Sequence, residues 1–215
     1  MKIAVVGATG LTGSRIVPEA ASRGHRVTAI SRHPEKTLPE LQVTAVACDV
    51  FDTGALARIL SGHDVVIFAY SPRNDHATNR KEPHRLATLS VIAATKQASV
   101  PRLFAVGGAG TLTTPSGARL MDTPEFPPSY LESAISTAQV LYLLKEEPDL
   151  DWTFISPAAY FAEPDVRTGN YRLGADELLV DAEGRSRLSL KDLAVAIVDD
   201  VEHWRHSRRR FSAAY

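Results

Sequence analysis

Gly7, Gly10 and Gly13 follow the first apolar run in "MKIAVVGATGLTGSRIV" and stand directly before a helix-patterned stretch. Glycines at that spacing, between a strand and a helix, make a tight turn whose backbone can come close to a pyrophosphate. The helix N-terminus then turns its N–H groups and its positive dipole end toward the anion. Gly13 would also let the helix pack closely on the sheet. With Thr9, Leu11 and Thr12 from the same turn, the three glycines form a candidate cradle for a dinucleotide.

Three later segments carry side chains suited to the rest of such a ligand. The second apolar run ends "AISRHPEK", with Ser31, Arg32 and His33, Lys36 close by, and no acid at its tip. An acid there would bind ribose hydroxyls, whereas a guanidinium pairs bidentately with a 2′-phosphate, so NADP is favoured over NAD. In "CDVFD", Asp49 can reach an adenine amine, Val50 can cover the ring, and Asp52 suits a helix cap. In "FAYSP", Ala69, Tyr70 and Ser71 fall beside the expected pyrophosphate and ribose.

These segments need a scaffold that brings strand ends together. "KIAVVG", "HRVTAIS", "VTAVA", "DVVIFAY", "RLFAVGG" and "DWTFIS" read as strands. Most are nearly continuous apolar runs, as expected of parallel strands covered on both faces. Helical spacing is predicted over Leu11–Arg23, Thr53–Leu60, a long stretch ending near Ala98, and Tyr130–Glu147. The last has Ser129 and Glu132 as a capping box, a face of Leu131, Ile135, Ala138 and Leu141, and Pro148 as a stop. The alternation predicts an α/β fold: a Rossmann-like, doubly wound parallel sheet with its ligand outside the carboxyl ends of the strands. Residues 1–156 form the nucleotide-binding core of a single domain. Residues 157–215 read as a small substrate-side lobe, with a helix capped by Ser189 and Asp192 and a last strand in "RRFSAAY".

The totals restrict the class. The chain has 215 residues, 44% hydrophobic and 23% charged, enough for one well-filled core. A net charge of −1 gives no global field for nucleic acid or an anionic membrane, and "RHSRRR" (residues 205–210) reads as a solvated helix end. Cys48 is the only cysteine, which points to a reducing, cytoplasmic setting and to a buried structural thiol. No run is long enough to span a membrane. His76 and His84 lack a second ligand pair at metal spacing, so no metal is expected. They lie in "PRNDHATNRKEPHR", which could form a lid whose Arg73 and Arg80 attract an anionic acceptor.

The segments "VGATGLTG", "DVVIFAYSP", "RLFAVGGAGTL", "DTPEFPPSYLESA" and "DLDWTFISPAAYF", with the C-terminal "TGNYRLGADELLVDAEGRSRLSLKDLAVAIVDDVE", span most of the chain. In them it resembles the atypical short-chain dehydrogenase/reductase superfamily, and within that the NAD(P)H-binding, NmrA-like group that includes biliverdin reductase B and NADH-flavin reductase-type proteins. The resemblance implies an NAD(P) cofactor and a loop after the sixth strand, Ser156, Pro157, Ala158 and Ala159, that pairs with the nicotinamide carboxamide. Tyr160 and Phe161 would then line the substrate side or pack the lobe.

The superfamily's usual catalytic set is a serine at the end of strand five and a Tyr-x-x-x-Lys on the next helix. Here Gly107, Gly108, Ala109 and Gly110 occupy the strand end, and Tyr130 is followed by Ala134 at the lysine position. Chemistry that depends on that lysine lowering a tyrosine pKa loses support. Reducing a flavin or quinone needs chiefly proximity and orientation, and the product can take its proton from solvent. Gly107 and Gly108 could let backbone approach a flat acceptor; Tyr130 and the nearest hydroxyl, Thr111, are the candidate catalytic groups. The leading expectation is an NADPH-preferring oxidoreductase acting on a small aromatic acceptor, with flavin as substrate and not as prosthetic group. A redox sensor that holds NADP(H) without turnover is the alternative, and an epimerase or dehydratase the third. The oligomeric state is not readable.

Overall fold

The computed structural model describes residues 1–37, 41–72, 80–161 and 163–215. Short β-branched segments form the strands of one eight-stranded sheet: β1 (Lys2–Val6), β2 (Arg26–Ser31), β3 (Val43–Ala47), β4 (Val65–Phe68), β5 (Arg102–Val106), β6 (Asp151–Pro157), β8 (Arg172–Gly174) and β10 (Arg209–Ala214). Its order is β3-β2-β1-β4-β5-β6-β10-β8, parallel throughout except that β8 runs antiparallel to β10. β7 (Tyr160–Phe161) and β9 (Arg187–Leu188) pair separately. The order reverses between β1 and β4, and that switch point opens a crevice at the carboxyl ends.

Alternate residues of each strand fill two apolar layers. Ile3, Val5, Val27, Val65 and Ile67 face helices α1 (Gly13–Ser22) and α5 (Leu190–His203). Ala4, Val6, Ile30, Val66 and Phe68 face α2 (Thr53–Leu60), α3 (Lys81–Gln97) and α4 (Pro128–Glu146). Full burial of each large side chain stabilises by about 1.5–3 kcal/mol before chain entropy is set against it. Asp52 caps α2 by accepting from Ala55 N at 2.9 Å, and Ser189 caps α5 by accepting from Asp192 N at 3.0 Å, as their positions predict.

Several expectations are corrected. The Ser129–Glu132 capping box does not form, because the chain enters α4 earlier through Pro127 and Pro128. Glu132 instead accepts from the Arg80 backbone N–H at 2.7 Å. Leu131 is exposed, and the buried face of α4 runs through Ala134, Ala138, Leu141 and Leu144. β3 is not covered on both faces: it lies at the sheet edge with Thr44, Ala45 and Ala47 exposed, since no crossover helix precedes it among the described residues. α5 and β10, expected in the small lobe, belong to the main sheet, where β10 pairs with β6 and α5 packs beside α1. The basic run is not one solvated helix end. α5 stops at His203, and Arg210 lies in β10, where it donates to Thr111 Oγ1 at 2.8 Å and pairs with Asp176.

Candidate active site

The turn after β1 is held by its own backbone. The N–H groups of Gly7 and Ala8 donate to Ile30 O at 3.0 and 3.2 Å, and Gly10 N–H donates to Gly7 O at 2.9 Å. Gly7 has φ +87°, and a Cβ there would lie 2.8 Å from the Ala69 carbonyl. A Cβ on Gly13 would lie 2.2 Å from Gly7 O, so this glycine lets α1 close onto the turn. Gly13 thus serves close packing, as expected, but of the helix on the turn and not on the sheet. At Gly7, however, the immediate obstacle to a side chain is the backbone of β4's end and not the space for a ligand. Among the described residues, the N–H groups of Thr9, Leu11, Thr12 and Gly13 find no acceptor in the protein. Four donors gathered at a helix N-terminus make an anion-binding nest.

A cleft of about 230 Å³ opens beside this turn. It brings together Gly7, Thr9, Gly10, Ser31, Arg32, Asp49, Val50, Ala69, Tyr70 and Ser71 from four strand ends. Leu11, Thr12, Gly13, Gly107, Gly108, Ser156, Pro157, Ala158 and Ala159 do not line it. Ser156 and Pro157, expected in a loop after the sixth strand, are the last residues of β6 itself, paired with Ser212 and Ala213 of β10. His33 and Lys36 join the cleft beside Arg32, concentrating basic side chains at its outer end. Ser31 is 8% exposed and its Oγ has no hydrogen-bond partner, a cost normally met by a ligand or water. Asp49 is partly committed, since one carboxylate oxygen accepts from Phe51 N–H at 3.1 Å.

Tyr70 lines the cleft just after β4. It stacks on Phe68 at 6.2 Å and meets Phe51 and His84 edge-on. Burial pushes its hydroxyl above the ordinary tyrosine range, with the Arg32 guanidinium opposing that shift and the Asp49 carboxylate adding to it. Behind it, His84 is buried on α3 with Nδ1 2.7 Å from Ser136 Oγ. Burial lowers its pKa to about 4, so it is neutral near pH 7. Arg73 and His76, part of the expected lid, fall outside the described residues.

The glycines after β5 have a different reason from the one expected. A Cβ on Gly107 would lie 1.8 Å from Phe154 Cζ, one on Gly108 2.8 Å from Thr137 Oγ1, and one on Gly110 2.7 Å from Ala134 Cβ. Their absent side chains make room for β6 and α4. Ala134 touches this turn, and with Met121 and Ala138 forms a small apolar cluster. The lysine position is thus filled by packed atoms. Tyr130 is 60% exposed, and Thr111 Oγ1 is engaged by Arg210. After β6, Ala159 N–H donates to Ser186 Oγ at 3.2 Å, while within the strand the fully buried Ser156 Oγ has no partner among the described residues.

Cys48 and Phe51 line the cleft unforeseen. Cys48 is half-buried, not a core thiol, because it follows the uncovered edge strand β3. Their signal was adjacency, since they flank Asp49 and Val50 in a segment already assigned to the nucleotide. A larger hollow of about 410 Å³ lies at the amino ends of β1–β3, around Lys2, Arg26, Thr28 and His63. It holds no orphaned buried polar atom among the described residues, and its His63 is satisfied by Thr28 and the Leu60 carbonyl.

Comparison with known proteins matches the NAD(P)H-binding family over residues 7–201. The chain is 39% identical over 214 residues to the uncharacterized protein YwnB of Bacillus subtilis, covering 99% of this chain and 97% of that one. A Burkholderia pseudomallei structure, described provisionally as an exported protein, is 43% identical with TM-score 0.89 and covers both chains completely. A Bacteroides thetaiotaomicron structure, provisionally described as an epimerase, is 38% identical with TM-score 0.89 over 100% of this chain and 96% of that one. A Streptococcus pneumoniae structure, provisionally described as an NADH-flavin reductase, is 33% identical with TM-score 0.81 over 100% and 99%. No described helix is long and apolar enough to cross a membrane.

Proposed function

The chain belongs to the NAD(P)H-binding family, and on that premise we propose that it is an NADPH-preferring oxidoreductase of a small, flat aromatic acceptor such as a flavin or quinone. The observation that carries this reading is the combination of four unused N–H groups at the α1 N-terminus with the unpartnered Ser31 Oγ and the basic group Arg32, His33 and Lys36. That donor set fits a pyrophosphate at one point and a 2′-phosphate at another. When bound, the nicotinamide supplies the hydride; the chain supplies position. Thr9 to Gly13 would hold the pyrophosphate, Arg32 and Ser31 the 2′-phosphate, and Asp49 and Val50 the adenine. Ser156 Oγ has spare hydrogen-bonding capacity to orient the carboxamide. Exposed Leu11, Tyr130, Tyr160 and Phe161 offer apolar surface near the carboxyl edge for a flat ring.

No described lysine stands beside Tyr130 in the usual four-residue relation, so we assign the product's proton to solvent, with Tyr130 and Thr111 as the hydroxyls to test. The same feature favours, as second reading, a protein that holds NADP(H) and reports it without turnover. The epimerase reading loses its proton-handling pair. The provisional description of the Streptococcus relative as an NADH-flavin reductase supports the acceptor class, and the single cysteine suits a reducing compartment.

The deciding experiment follows NADPH absorbance with FMN, riboflavin and a simple quinone as acceptors, NADH in parallel, and an Arg32→Ala variant. Turnover with NADPH is expected. In the variant kcat/KM for NADPH should fall tenfold or more, as for loss of a charge-assisted hydrogen bond of about 1.5–3 kcal/mol, with little change for NADH. Tight NADPH binding without turnover of any acceptor overturns the enzyme in favour of the sensor.

A further inference from the structure

Cys48 lies in the wall of the adenosine end of the cleft, half-buried and next to Asp49. Its thiol donates only to its neighbour's carbonyl, Asp49 O, at 3.4 Å, and its backbone N–H donates to Ser31 O at 3.0 Å. That second bond ties it to the residue whose buried, unpartnered hydroxyl marks the same cleft as a ligand site. Arg32, Lys36 and Asp49 line the same cleft.

We propose that Cys48 is a modification site for low-molecular-weight disulfides bearing carboxylates, and that nucleotide and modifier exclude one another from the cleft. The inference rests on the reading of this cleft as the adenosine pocket. The Cys48 thiol gives its proton to solvent, and its sulfur bonds to one sulfur of the disulfide. The original S–S bond breaks, and the second sulfur leaves as a thiolate with the bonding pair, then takes a proton from solvent. Cys48 is oxidised and the departing thiol reduced, so no further reactant is needed. The attached group would put its carboxylates against Arg32 and Lys36, the side chains assigned to the 2′-phosphate.

Burial, reinforced by the carboxylates of Asp52 and Asp49, holds the thiol above its ordinary range, with Arg58 opposing. Exchange at neutral pH is therefore slow and quickens as pH rises. Such a site does not compete for brief oxidant pulses. It records how long the cleft stays without nucleotide while the disulfide pool is high.

The test first titrates NADPH against the unmodified protein by fluorescence. The protein is then incubated with oxidised glutathione at pH 7 and pH 8.5, with and without saturating NADPH, and weighed intact. One adduct is expected, forming faster at the higher pH and slowed at least tenfold by NADPH. The isolated adduct should keep its far-UV circular dichroism, bind NADPH at least tenfold more weakly, and recover with dithiothreitol. Cys48→Ser should take up no adduct and show the same NADPH affinity before and after oxidised glutathione. No adduct, an adduct formed equally fast with NADPH bound, an unfolded adduct, or one with unchanged affinity each overturns the inference alone. Absence of NADPH binding in the first titration overturns the proposed function as well.

Discussion

The turns after β1 and after β5 both begin with glycines, yet their surroundings differ. After β1, Gly7 and Gly13 are pressed against backbone, and four N–H groups of the turn find no acceptor among the described residues. After β5, Gly107, Gly108 and Gly110 meet the side chains of Phe154, Thr137 and Ala134. Backbone that closes on backbone cannot yield, so the first turn has one shape and presents its donors in one arrangement. A turn closed by side chains can be re-cut by evolution without loss of the fold. The turn after β1 is therefore the fixed one and the turn after β5 the adjustable one.

The largest test of that contrast is Gly13→Ala. The new methyl meets Gly7 O, and no side-chain trimming relieves it. Stability should fall by about 3 kcal/mol or more in denaturant melts, with NADPH affinity reduced over a hundredfold. A variant that folds and binds normally would refute the rigid-turn account.

Next in size is the acid response of His84, packed against Tyr70. The folded pKa of His84, about 4, lies below its ordinary 6.5, so the native state binds fewer protons between those values. Its contribution is complete above pH 6.5 and is lost as pH falls toward 4, on the order of 3 kcal/mol. Chemical melts from pH 7 to pH 4 should show this decline, flattened in His84→Gln. An equal slope in both proteins would move the effect to carboxylates.

Gly107→Ala should cost about 1–3 kcal/mol through contact with the Phe154 ring. Adding Phe154→Leu should recover part of that loss, a coupling that the rigid turn cannot show. Strict additivity in the double-mutant cycle would place the strain in backbone here also. The smallest effect is expected for Tyr130→Phe, with kcat within about twofold, because its exposed hydroxyl lacks the lysine neighbour. A fall of a hundredfold, within the range of general acid catalysis, would make Tyr130 the proton donor.

Much of this was legible beforehand. The sheet strands β1–β6 and β10 and the helices follow from apolar runs and spacing, and Asp52 and Ser189 cap where their types suggest. The strand ends that gather at the cleft were identifiable because the doubly wound order dictates which ends meet. What the sequence hid depends on neighbours distant along the chain. Nothing local says that Phe154 occupies the space a side chain at residue 107 would need. Nor does it show that Arg80 claims Glu132 from its expected cap, or that Thr111 is engaged by an arginine 99 residues away. Cys48 was misplaced because a short apolar run looks the same in a central strand and at an edge.

That edge has a consequence of its own. β3 is bonded only to β2, and the connection between them, residues 32–42, carries Arg32, His33 and Lys36 together with the 3₁₀ turn Pro34–Lys36. A ligand held by those three side chains therefore bears on the segment that leaves β2, the one strand that β3 is paired with among the described residues. Amide deuterium uptake across Val43–Ala47 should slow when NADPH is added and slow less with NADH, turning the margin of the sheet into a gauge of which nucleotide is held.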